Sequence, residues 1–236
     1  MRSAMAPYEG LLAVVEAQQA PGSGAEPCLW FDGEQLQLMA GNGGMQAWVT
    51  TEEVTKRAAG ASLLARACNL TPRQPLRLLD AMAGWGVDGL ALQLRGAQVL
   101  QVERNPAAWA LLADLRRRFG FSSDPQALLC ADAWQVLGSD ATATVDVVYL
   151  DPMFAARKKT ALPSKRLQLL AQVTAMPSYP EPAMAGWIER AQRKALSRVV
   201  IKRRLKDPPL QPKPAWQLKG KTVRYDCYPG LAAASA

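Results

Sequence analysis

From position 76 onward the chain alternates between short apolar runs and longer stretches with helical spacing. The apolar runs fall at 76–81, 99–102, 127–130, 145–150 and 199–201. Runs of this length, separated by helical segments, are the pattern of parallel strands buried on both faces, so they predict a doubly wound α/β sheet. After Ile201 a proline-rich stretch, Pro208-Pro209-Leu210-Gln211-Pro212-Lys213-Pro214, leads to two final apolar-polar segments. These lie around Trp216-Gln217-Leu218 and over 223–228, and Lys219-Gly220-Lys221 joins them as a closing antiparallel hairpin. Five parallel strands and this hairpin make a mostly parallel seven-stranded sheet.

The pattern upstream is different. Residues 1–26 hold a short helix-like apolar piece followed by the flexible Pro21-Gly22-Ser23-Gly24. Cys28-Leu29-Trp30-Phe31 and Gln35-Leu36-Gln37-Leu38, joined around Asp32-Gly33, read as a hairpin. Thr50-Thr51-Glu52-Glu53 offers a helix start with carboxylates in the first turn, and a helical pattern runs from there to Cys68, ahead of Pro72 and Pro75. The expected organisation is an extension over 1–70, with a small β-element and a helix, and an α/β domain over 71–236.

Composition narrows the chemistry. A hydrophobic fraction of 49% over 236 residues is ample for one large core. With 28 Lys+Arg against 20 Asp+Glu the net charge is +8, which favours a polyanionic partner. Histidine is absent, which removes Ser-His-Asp and Cys-His nucleophile pairs, two-histidine zinc sites and imidazole acid/base work. Cys28, Cys68, Cys130 and Cys227 lie far apart without a C-x-x-C pair, so they read as buried free thiols and no metal site is expected. Neither a signal-peptide core nor a stretch of roughly 18 apolar residues occurs, so the expectation is a soluble, cytoplasmic protein with no membrane partner.

In doubly wound sheets ligands bind at the carboxyl ends of the strands. Asp80, Glu103, Asp132 and Asp151 fall at the ends of the first four strands, one each. A single such acid is commonly a helix cap; four in register point to a site. In Asp80-Ala81-Met82-Ala83-Gly84-Trp85-Gly86-Val87-Asp88, Gly84 and Gly86 let the first turn bend tightly and bring a ligand against bare backbone, ahead of a helix N-terminus. Glu103 sits where an acid after the second strand pairs with ribose hydroxyls, and Asp132 with Ala133 is placed to meet an adenine ring. NAD is the competing cofactor. The third glycine of its fingerprint is missing, however, and Asp88 would repel a pyrophosphate. Asp80 and Asp88 suit a cationic ligand such as S-adenosylmethionine.

Asp151-Pro152-Met153-Phe154 supplies the second half of a reaction site. An exocyclic amino group on a base is a poor nucleophile because its lone pair is delocalised. Asp151 and the carbonyls of its turn can accept the N–H bonds, Pro152 stiffens the turn, and Phe154 can stack on the base, worth about 1–3 kcal/mol. The basic Arg157-Lys158-Lys159, Lys165-Arg166 and Lys202-Arg203-Arg204, together with Lys219, Lys221 and Arg224, are candidate phosphate contacts. The base would be extruded or presented in a loop.

Several of these runs together resemble the RsmJ family: 80–88, then Glu103-Arg104-Asn105-Pro106, Val148-Tyr149-Leu150-Asp151-Pro152-Met153-Phe154, Val199-Val200-Ile201-Lys202-Arg203 with Pro208-Pro209-Leu210, and Arg224-Tyr225-Asp226. Its members are bacterial methyltransferases acting on the N2 amino group of a guanosine in small-subunit (16S) ribosomal RNA. The resemblance spans roughly 28–229. It implies a Rossmann-like class I methyltransferase fold, S-adenosylmethionine as donor, and small-subunit ribosomal RNA or the 30S particle as partner. It places cofactor contacts on Val87-Asp88, Glu103-Arg104, Asp132-Ala133 and Asp151. The chain departs from the family at Val87, at Asp132-Ala133, at Ala155, and over 56–62, where most of a glycine-rich basic segment's glycines are gone. Amino methylation of DNA or protein, and a catalytically inactive RNA-binding assembly factor, are the alternative expectations.

Overall fold

The computed structural model describes residues 28–39, 46–72, 75–121, 124, 127–152 and 184–232. The strands are β1 (Cys28–Phe31), β2 (Leu36–Met39), β3 (Gln46–Ala47), β4 (Arg77–Asp80), β5 (Gln98–Glu103), β6 (Leu128–Cys130), β7 (Val145–Leu150), β8 (Ala195–Arg204), β9 (Trp216–Lys219) and β10 (Val223–Pro229). The helices are α1 (Thr51–Ala58), α2 (Leu63–Ala67), α3 (Val87–Leu94), α4 (Pro106–Arg118), α5 (Ala133–Gly138) and α6 (Met184–Lys194). The large sheet has the order β6-β5-β4-β7-β8-β10-β9, with β4 to β8 parallel and β10 antiparallel to both β8 and β9. This is the expected doubly wound seven-stranded sheet with a closing hairpin. Strand order reverses between β4 and β7, at the place where a ligand crevice forms.

The alternation of side chains along each strand decides what faces what. Leu79, Val102, Val148, Leu150, Val199 and Ile201 pack under α5 and α6. Their neighbours Leu78, Val99, Val147, Tyr149, Val200 and Tyr225 pack on the opposite face, with α2 and α3. Asp80, Gln101, Glu103 and Lys202 continue the second set by parity, so all point to the α3 face near the carboxyl edge.

The N-terminal element is larger than a hairpin: β3 adds a third strand beside β2. Leu36, Leu38 and Val54 share one buried cluster with Leu111, Leu112 and Leu115 of α4. The Leu36 N–H donates to Asp114 Oδ2, and Arg117 and Arg118 donate to the carbonyls of Glu34 and Val49. Helix α1 begins as expected, with Thr50 Oγ1 accepting from the Glu53 N–H at 3.1 Å. The expected continuous helix to Cys68 is instead two helices, because Gly60 turns the chain at a φ of 67° before Ser62 caps α2. Cys68 and Cys227 are buried free thiols as expected, whereas Cys130 is exposed.

Candidate functional site

The first turn of the α/β region is built on bare backbone. Gly84 and Gly86 have φ values of 52° and 76°, a conformation that glycine adopts without strain. A side chain at Gly86 would meet Leu112 Cδ1 at 2.1 Å, whereas Gly84 faces open space on the ligand side. Gly89 explains how α3 sits so low on the sheet: a Cβ there would lie 2.4 Å from Asp80 Oδ2 and 2.5 Å from Gln101 Nε2. The close helix packing that a dinucleotide fingerprint assigns to its third glycine is thus supplied by Gly89. Val87 opens α3 and packs into the cluster beneath it.

Asp80 is 1% exposed. One of its oxygens meets Gln101 Nε2 at 3.4 Å, and the other, Oδ1, has no partner among the described residues. Burial, reinforced by Asp88, pushes its carboxyl up to about 8. A buried carboxyl with an unused oxygen is a place for a ligand cation. Glu103, also buried, accepts from the Gly84 N–H at 2.8 Å and from the Asn105 N–H at 2.7 Å. It thereby ties the glycine turn to the start of α4, which Asn105 caps and Pro106 opens. Burial raises its carboxyl, and Arg104 works against that rise. A carboxylate has about four acceptor positions, so the backbone bonds from Gly84, Asn105 and Arg104 leave room for a ribose hydroxyl. Asp132 is exposed and caps α5 through the Trp134 N–H at 2.8 Å, with Ala133 buried behind it.

The other half of the site is a charge network that the sequence did not reveal. Asp88 Oδ1 accepts from Arg57 Nε at 2.7 Å, and Oδ2 accepts from the Tyr149 hydroxyl at 2.7 Å and from Lys202 Nζ at 2.8 Å. The same Lys202 ammonium donates to Asp151 Oδ2 at 2.7 Å, and Arg57 reaches the Tyr225 hydroxyl at 3.1 Å. Burial works against ionisation of Asp88, but Lys202 and Arg57 hold its carboxyl below the ordinary value. Burial raises the Asp151 carboxyl, with Lys202 opposing and Asp88 reinforcing. Asp151 is followed by the buried Pro152, which fixes the chain as it leaves β7. Phe154 and the basic positions 157–159 and 165–166 lie outside the described residues.

Among the candidate site residues, Asp80, Asp88, Glu103 and Asp151 meet at the carboxyl edge, and Asp132 with Ala133 lies at the end of β6. Arg57, Gln101, Tyr149 and Tyr225 are additions. The parity of β5, β7 and β10 could have flagged the last three, whereas no local signal marks Arg57. Two expected phosphate contacts are corrected: Arg203 and Arg224 are 1% and 3% exposed. Arg224 binds Asp226 through both oxygens and donates to the carbonyls of residues 204, 205, 207 and 208, while Arg203 binds Asp207 and the Pro208 carbonyl. Together they staple the loop after β8, and their burial keeps both from contacting RNA. Lys202 is likewise engaged inward. Arg204, Lys219 and Lys221 remain exposed. No group of metal-ligating side chains occurs among the described residues, and no described helix is long and apolar enough to cross a membrane.

Residues 21–230 match a family described as "Putative SAM-dependent methyltransferase". A protein named ribosomal RNA small subunit methyltransferase J from Alkalilimnicola ehrlichii is 39% identical over 175 residues, covering 72% of this chain and 66% of the relative. The protein of the same name from Legionella pneumophila (strain Corby) is 36% identical over 212 residues, covering 86% and 84%. The chain thus spans just under two thirds of the length of the first relative and most of the second. In fold it is similar to a SAM-dependent methyltransferase from Neisseria gonorrhoeae, with a TM-score of 0.71, 23% identity, and coverage of 96% of this chain and 93% of that one.

Proposed function

We propose a specific reaction for this chain, which belongs to the SAM-dependent methyltransferase family whose curated relatives are named ribosomal RNA small subunit methyltransferase J. It transfers a methyl group to the exocyclic N2 amino group of a guanosine in small-subunit ribosomal RNA, in the bacterial cytoplasm. The observation that carries this reading is the separation of the acids. Asp80 and Glu103 line the glycine turn, where Asp80 has an oxygen to spare. Asp151, two positions beyond Tyr149, the register partner of Asp80 on β7, and already charge-compensated, is left to meet the acceptor.

The residues present fit S-adenosylmethionine. The unpartnered Asp80 Oδ1 suits its cationic end, the open backbone at Gly84 admits it, and Glu103 and Asp132 have acceptors for the ribose and adenine. When bound, the donor supplies a methyl group on a sulfonium, whose carbon–sulfur bond breaks with its electron pair going to sulfur. Asp151 accepts an N–H of the acceptor amine, which turns the nitrogen lone pair out of conjugation and toward the methyl carbon. It then takes the proton that the amine sheds. Pro152 keeps the Asp151 carbonyl in place as a second acceptor, and Phe154 is assigned the face of the base. Val87, Asp88, Arg104 and Ala133 shape the pocket around the donor.

Naked ribosomal RNA, assembled small subunits, DNA and protein, each incubated with the chain and labelled donor, test the reading, with the product nucleoside identified by mass spectrometry. The expected product is N2-methylguanosine from the RNA or the particle. Methyl groups on DNA or on a protein amide, or no transfer despite donor binding, would overturn it.

A further inference from the structure

Lys202 has two carboxylate partners, and its place explains why. One ammonium bridges Asp88 Oδ2 at 2.8 Å and Asp151 Oδ2 at 2.7 Å. Asp88 cannot move away, because Arg57 from α1 and Tyr149 from β7 hold it as well. Asp88 is therefore an anchor, Lys202 a strut, and Asp151 the group the strut holds. The ion pair engages Oδ2 of Asp151 and restricts how its carboxylate can turn. The Asp151 side chain is 37% exposed, while those of Asp88 and Lys202 are 12% and 25% exposed, so the held group is the one that reaches solvent.

We propose that Lys202 is the positioning residue for the acceptor step, orienting Asp151 and keeping it ionised. The inference rests on the reading of Asp151 as the acceptor's contact. Among the described residues the charged groups around Asp151 are Lys202 from β8, Asp88 from α3, Arg57 from α1 and Asp80 from β4, with the Tyr149 hydroxyl from β7. Three carboxylates thus meet two cations. Removing Lys202 leaves Asp151 beside Asp88 with only the more distant Arg57 to compensate, so its carboxyl must rise. Lys202 does not act as the base: both carboxylates hold its ammonium charged, well above the ordinary lysine value despite burial. Among the described residues Asp151 is the one this reading assigns the acceptor's proton.

The test is the Asp151 carboxyl titration in the full chain, followed by carbon-13 NMR with Asp151→Asn identifying the signal, alongside pH profiles of kcat. In Lys202→Met the titration midpoint should rise by about one unit or more. The acid limb of kcat should move up with it, and kcat at pH 7 should fall about tenfold while KM for RNA stays within about twofold. Lys202→Arg should restore most of both. Calorimetric donor affinity should change far less than kcat. An unmoved Asp151 titration in folded Lys202→Met overturns the proposal. A titration that moves while kcat does not removes Asp151 from the acceptor site and overturns the role of Lys202 in that step, leaving only the ion pair. If Lys202→Met does not fold, Lys202→Gln, which keeps an N–H donor without the charge, carries the same readouts. If both neutral variants unfold while Lys202→Arg is normal, Lys202 serves folding and the proposal fails.

Discussion

At the carboxyl edge of one sheet the acids to the left and right of β4 are held in opposite ways. Among the described residues the hydrogen bonds found to Asp80 and Glu103 come from backbone amides or an amide side chain, and one Asp80 oxygen has no partner. Asp88, Asp151 and Asp226, toward β8 and β10, are matched by Arg57, Lys202 and Arg224. An acid left uncompensated in a buried crevice is unfavourable until a cation arrives, so it marks a binding position. An acid already paired is fixed in space, so it marks positioning or architecture. The family of charges is the same; what distinguishes ligand contact from scaffold is whether the protein has completed the pair.

The sharpest way to break this division is Asp151→Ala. Methyl transfer should fall by at least about a hundredfold while calorimetric donor binding stays largely intact; wild-type turnover would remove Asp151 from the reaction. Next in size is Arg224→Met. With the wholly buried Asp226 losing its cation and the carbonyls of Leu205 and Asp207 losing their donor, unfolding free energy should drop by about 3–5 kcal/mol in denaturant titration. A variant that instead keeps its stability and loses RNA affinity would make Arg224 a phosphate contact after all. Glu103→Ala should weaken donor binding by roughly 10–100-fold through lost charge-assisted bonds and a loosened glycine turn, and an unchanged dissociation constant would refute its assignment to the ribose.

A subtler effect follows from Asp80. Because its carboxyl sits at about 8, it is mostly protonated at pH 7 in the free protein. A ligand cation favours the ionised form, so binding should release up to about one proton at pH 7 and tighten as pH rises toward about 8, flattening above it. Calorimetry in buffers of different ionisation enthalpy measures the release, and Asp80→Asn should abolish it. Smallest of all, Lys219→Ala or Lys221→Ala should weaken RNA binding only a few-fold and lower its salt dependence by about one phosphate contact each.

Most of the sheet was legible because buried parallel strands must be continuous apolar runs: the five parallel strands lie on those runs, and the two antiparallel ones on the apolar-polar segments of the closing hairpin. The acids at strand ends were legible for the same reason: a polar residue terminating such a run has few places to be. What stayed hidden depended on partners far along the chain. Lys202-Arg203-Arg204 looks like one basic patch, but strand alternation sends Lys202 to the site, Arg203 into the opposite packing layer and only Arg204 to solvent. Arg57 sits in the last turn of α1, where a cation is expected for the helix dipole alone, and only the packing of α1 on α3 brings it to Asp88. The third strand of the N-terminal sheet, two residues long, is too short to give a periodic signal.

The anchoring of Asp88 also sets an order of assembly. Its partners lie 31, 61 and 114 positions away along the chain, at Arg57, Tyr149 and Lys202. During synthesis Arg57 and Asp88 emerge early, whereas Lys202 follows only after five of the seven strands of the large sheet have been started. Until then Asp88 and Asp151 lack the ammonium that bridges them, and their mutual repulsion opposes closure of the crevice. The site therefore matures late, and a chain interrupted before β8 is denied a finished one.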